Sequence, residues 1–116
     1  MNLDQINDLH EQAMTLAEAA VIARTEGDEA ASCKRFMEAL ELAREAAARI
    51  ASRVDEEPMR SVLHRSAASL ALNCEEYRLA EKLLAVGLAG DPPPEIAEEM
   101  RDLLEQIYAR RELLVI

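Results

Sequence analysis

Aromatic side chains are nearly missing from this chain, which has no tryptophan, two tyrosines and one phenylalanine in 116 residues. Its apolar half rests on alanine and leucine, strong helix formers that let helices pack at short range. Glycine occurs three times, and the prolines are confined to position 58 and positions 92–94. No stretch alternates apolar and polar residues over strand length, so no sheet is expected and the fold class is all-α. No apolar run approaches the ~18–20 residues that cross a bilayer. Basic charge is short as well: 13 Lys and Arg stand against 23 Asp and Glu, a net charge of −10. Phosphate backbones and anionic lipid surfaces repel such a chain, so neither nucleic acid nor a membrane surface is an expected partner. Cys33 and Cys74 are isolated thiols inside separate helical patterns. They read as small buried core residues in a reducing compartment, not as a disulfide. Met1-Asn2-Leu3-Asp4-Gln5 has no basic flank or apolar run of a secretion signal, so a cytoplasmic protein is expected.

Groups that would carry chemistry are equally sparse. His10-Glu11 is followed by Met14 where a zinc-protease helix would place its second His, and His64 stands alone. The carboxylate pairs Glu56-Glu57, Glu75-Glu76 and Glu98-Glu99 are adjacent in sequence, splay about 100° apart on a helix and cannot share a proton. Ser61 and His64 lie one helical turn apart with Asp55 and Glu57 nearby, but no glycine-rich elbow accompanies them. A small hydrolase using Ser61 or Cys74 with His64 is the most remote reading. No enzyme, cofactor or metal is expected.

What the chain does have is helical periodicity. Leu3, Ile6, His10, Ala13, Ala17 and Ala20 recur at three- and four-residue steps, predicting a first helix over 3–26 that Asn2 or Asp4 caps and Gly27 ends. Asp28 caps a second helix whose inward side is Cys33, Phe36, Met37, Leu40, Ala43, Ala47, Ile50 and Val54. Asp55-Glu56-Glu57-Pro58 breaks the pattern, and a third helix follows over 58–73. A fourth covers 75–89, Gly90 stops it, and Asp91-Pro92-Pro93-Pro94 is a stiff elbow before a fifth helix. One domain is expected over 1–116: a hairpin over about 3–54, another over about 58–89, and a capping helix over about 94–113.

One pattern occurs twice, 48 residues apart (27 to 75). Gly27-Asp28-Glu29 leads to Ser32, Phe36, Ala39, Leu40 and Leu42; Glu75-Glu76-Tyr77 leads to Ala80, Leu84, Gly87, Leu88 and then Gly90-Asp91-Pro92. The segment from Tyr77 to Pro92 resembles a tetratricopeptide repeat, matching it at Tyr77, Ala80, Leu84, Gly87, Leu88 and Pro92 in order and spacing. The earlier copy departs: Ser32 replaces the expected alanine, Glu29 replaces the turn aromatic, and no proline closes it. That family repeats every ~34 residues, so about 14 residues fall to a longer second helix and the join at 54–58.

The resemblance implies an antiparallel stack of hairpins whose first helices line a concave groove. That groove would carry Met14, Ala17, Val21 and Arg24; then Val62, Arg65, Ser69, Leu72 and Asn73; then Glu99, Leu103 and Gln106. Arg65, Ser69 and Asn73 are spaced by four and form a polar row on one helix face. The carboxylate clamp of Lys and Asn found in some members is not supported, because Ala17 and Val21 occupy those positions. The expected function is a protein-interaction module binding a peptide or amphipathic helix beside Arg24, Arg65, Ser69, Leu72 and Asn73. The alternative is a structural homo-oligomer without peptide ligand. Leu113-Leu114-Val115-Ile116, an apolar end, motivates a homodimer.

Overall fold

Five helices and no strands make up the computed structural model, which describes residues 1–115, with side chains to Leu113. Helix α1 covers Leu3–Thr25, α2 Glu29–Ile50, α3 Met59–Asn73, α4 Tyr77–Leu88 and α5 Pro94–Val115. Two antiparallel hairpins, α1–α2 and α3–α4, pack side by side through α2 and α3, and α5 closes the stack against α3 and α4.

Local chemistry accounts for the helix ends. The Asn2 side chain accepts from the Gln5 amide at 2.8 Å while the Asn2 amide donates to the Gln5 side chain at 2.9 Å, a reciprocal N-terminal cap. At the other end of α1 the Gly27 amide donates to the Arg24 carbonyl and the Asp28 amide to the Ala23 carbonyl. This Schellman closure needs a left-handed residue, and Gly27 supplies it at φ +84°. Asp28 then accepts from the Ala31 amide at 3.0 Å and starts α2. Residues 74–76 repeat the closure: the Glu75 amide donates to Leu72 and the Glu76 amide to Ala71. Here the left-handed position, at φ +60°, is held by Glu75.

The core is an alanine seam. Ala13, Ala20, Ala39, Ala43, Ala47, Ala67, Ala71 and Ala80 are buried with Phe36, Leu40, Leu70, Leu84, Met100 and Ile107. Small side chains let the helix axes approach, so dispersion contacts are dense although few large residues are present. At Gly87 a methyl group would sit 2.9 Å from the Met100 Sδ and 3.0 Å from the His64 Cβ, so α4 meets α3 and α5 there by having no side chain.

Three expectations for α2 are corrected. The helix ends at Ile50, four residues before Val54, and the Arg60 guanidinium takes up the free carbonyl of its C-cap residue Ala51. Cys33 and Met37 are exposed instead of inward. The inward position beside them is Ser32, whose hydroxyl donates to the Ala20 carbonyl at 2.8 Å. A one-residue difference on a helix is a rotation of about 100°, enough to exchange a buried face for an exposed one.

Candidate functional site

Helices α1, α3 and α5 flank a groove of about 570 Å³. Met14, Ala17, Val21 and Arg24 line it from α1, Arg65, Ser66, Ser69, Leu70 and Asn73 from α3, and Glu99, Asp102, Leu103 and Gln106 from α5. Phe36 reaches it from α2, and the Arg24 guanidinium lies 4.8 Å from that ring's centroid, a cation–π contact. Four of the five sequence-expected binding residues, Arg24, Arg65, Ser69 and Asn73, therefore share one surface. Leu72 does not: it is 5 % exposed and packs in the core, and Val62 also stands outside the groove. Phe36, Ser66, Leu70 and Asp102 were missed. Asp102 and Ser66 each lie near a named groove residue in sequence, and a wider helical stripe would have included them.

Three of the groove's polar side chains, Arg65, Glu99 and Asn73, already have partners. Arg65 Nη1 donates to Glu99 Oε2 at 2.8 Å, bridging α3 to α5. Asn73 Nδ2 donates to the Ser69 carbonyl at 3.1 Å. His10 lies within range of the Arg65 charge, and its pKa is held below the ordinary value by burial, with Glu11 raising it in opposition and Arg65 adding a smaller lowering effect. The Arg65–Glu99 pair is partly exposed, so it is weak and exchangeable.

Behind the groove lies a polar cluster that the sequence did not reveal. Arg60 is 3 % exposed. Its Nε donates to the Ala51 carbonyl at 2.7 Å and its Nη2 to the Val86 carbonyl at 2.8 Å, while Nη1 sits 3.9 Å from Glu57 Oε2. Glu57 in turn accepts from the Ser61 amide and the Asp91 amide. One cation thus gathers carbonyls at the C-terminal ends of α2 and α4, where helix dipoles favour positive charge.

His64 and Ser61 belong to this buried region. His64 Nδ1 is 2.7 Å from the Arg60 carbonyl, and since a carbonyl only accepts, Nδ1 carries the proton. Burial pushes its pKa below the ordinary value, with the Arg60 charge acting the same way and the backbone hydrogen bond and Glu57 opposing. The Ser61 hydroxyl donates to the Pro58 carbonyl, and no part of the residue is exposed. Ser61 and His64 are therefore engaged by backbone carbonyls, away from the groove.

Among the described residues no three His, Cys, Asp or Glu side chains converge as metal ligands, and no helix is long and apolar enough to cross a membrane. Leu113 is 74 % exposed, whereas Leu114, Val115 and Ile116 lie outside the residues whose side chains are described. No protein-family model, curated protein or solved structure matches the chain.

Proposed function

We propose that the chain is a small cytoplasmic protein-interaction module of tetratricopeptide type, an adaptor or regulator that takes a peptide or helix of a partner protein along the α1–α3–α5 groove. The supporting observation is a trough crossed by three helices, with Met14, Val21 and Leu103 beside Arg24, Arg65 and Asn73. Apolar contacts favour one face of an amphipathic segment, and the polar groups orient it. An incoming carboxylate competes with Glu99 for Arg65, an exchange whose cost is small because the resident pair is partly solvated.

Panning a displayed peptide library against the wild-type chain supplies ligands for the test. Their affinity should fall about tenfold or more in Arg65→Glu, the ~1.4 kcal/mol of one lost charged contact. Asn73→Ala should lower it less, with no change in molecular mass or helicity for either variant. Peptides that bind wild type and both variants equally would place the binding surface elsewhere. The exposed Leu113 favours a second reading, a homodimer joined through the end of α5. A monomer mass by light scattering, unchanged on deleting residues 113–116, removes it.

A further inference from the structure

The end of α1, the start of α2 and the end of α3 with the turn that follows it meet at one corner of the molecule. A second cavity of about 340 Å³ opens there, and Cys33 and Cys74 both line it together with Arg24, Phe36 and Asn73. Cys33 stands on the first turns of α2, and Cys74 is the C-cap residue of α3. Both are free thiols, one exposed and one half-buried, and they are the chain's only cysteines. A core role accounts for neither the exposure of Cys33 nor the meeting of two thiols from different hairpins in one cavity.

We propose that Cys33 and Cys74 are a reversible dithiol–disulfide pair that takes a low-molecular-weight disulfide, such as oxidised glutathione, as its oxidant and ties the first hairpin to the second. Exposure makes Cys33 the thiol that an oxidant reaches first. Its thiolate attacks one sulfur of the disulfide, forming a mixed disulfide and releasing one thiolate of the oxidant. Cys74, its proton lost to water, then attacks Cys33 Sγ and expels the second. Two protein thiols are oxidised and one small disulfide is reduced to two thiols. Burial, then the charges of Glu76 and Cys33, hold the Cys74 thiol above its ordinary pKa, which suits a resolving group that stays protonated until its partner is activated. In a reducing compartment such a pair is a transient sensor, not a permanent staple.

The test incubates the folded wild-type chain with oxidised glutathione, quenches with acid, and alkylates in denaturant before intact-mass and peptide analysis. The expected product is a monomer lighter by two hydrogens, carrying no alkyl group and yielding a Cys33–Cys74 linked peptide pair that dithiothreitol separates. Cys74→Ser should stop at a glutathione adduct on Cys33. A wild-type chain that keeps glutathione on Cys33 with Cys74 still alkylatable overturns the proposal, as does a disulfide-linked dimer or two free thiols. Arg24, Phe36 and Asn73 line both cavities, so closure should also act on the groove. That consequence rests on the groove being the binding site and is read separately, as a change of about fivefold or more in the affinity of peptides selected on the reduced chain. Equal affinity in both redox states removes the coupling to the groove, while the mass result decides the pair itself.

Discussion

The two hairpin turns close with the same hydrogen bonds but are built from opposite materials. In the first, Gly27 takes the left-handed position and Asp28 caps the next helix with its side chain. In the second, Glu75 stands in the left-handed position and Glu76 provides no side-chain cap. Left-handed backbone costs a non-glycine residue roughly 1–2 kcal/mol. The open ends reverse this order. The first hairpin's open end has Arg53 donating to the Met1 carbonyl in an exposed position, whereas the second has the buried Arg60 gathering carbonyls of α2 and α4. One hairpin is specified by residues next to each other in the chain. The other tolerates poor turn residues because long-range polar contacts and the alanine seam hold its helices together.

Breaking the buried contact should give the largest effect. Arg60→Met leaves the Ala51 and Val86 carbonyls and the Glu57 carboxylate without their cation, and should lower stability by about 3–5 kcal/mol in urea denaturation. The companion Arg53→Met should cost less than about 1 kcal/mol; equal losses would abolish the contrast between the open ends. Next comes Gly27→Ala, which forces a side chain into left-handed backbone and should cost about 1–2 kcal/mol by the same measurement. Glu75→Gly should do the reverse, stabilising the protein by about 0.5–1 kcal/mol once glycine's larger unfolded-state entropy is included. A loss at Glu75→Gly would mean that its side chain contributes more than its backbone costs.

The smallest effect is in pH. His64 has a folded pKa below its ordinary 6.5, so the unfolded chain binds a proton first as the pH falls. Its contribution to stability is complete above that ordinary value and declines as the pH drops through it towards the lower folded value. The fall in urea midpoint between about pH 7.5 and about pH 5.5 should therefore be smaller in His64→Gln than in wild type. An equal fall would assign the acid sensitivity to other groups, His10 first among them.

Much of the architecture could be read in advance because its signals are local. Gly27, Pro58, Gly90 and Pro92–Pro94 mark breaks between helices, and the three- and four-residue spacing of Ala and Leu gives each helix its inner stripe. The 48-residue recurrence fell on the two closures themselves, at Gly27 and Glu75. The groove residues on α1, α3 and α5 came from register combined with the tetratricopeptide resemblance. Leu72 failed because it turns into the core, a difference of one position from Asn73 on the rim. Arg60 was invisible for another reason: an arginine in the first turn of a helix ordinarily points to water, and nothing adjacent shows that Ala51 and Val86 will surround it. The same holds for the Arg65–Glu99 bridge, which joins residues of different helices.

The sequence by itself determined that the chain is helical, where the breaks between helices fall, and the apolar stripe of most helices though not of all of α2, because those properties depend largely on residues within a few positions of one another. Only the tertiary structure decided which polar groups are buried and satisfied, which cysteine faces water, and which side chains share a cavity. Those outcomes depend on how separate helices rotate and approach as they pack, and no stretch of neighbouring residues encodes that alone.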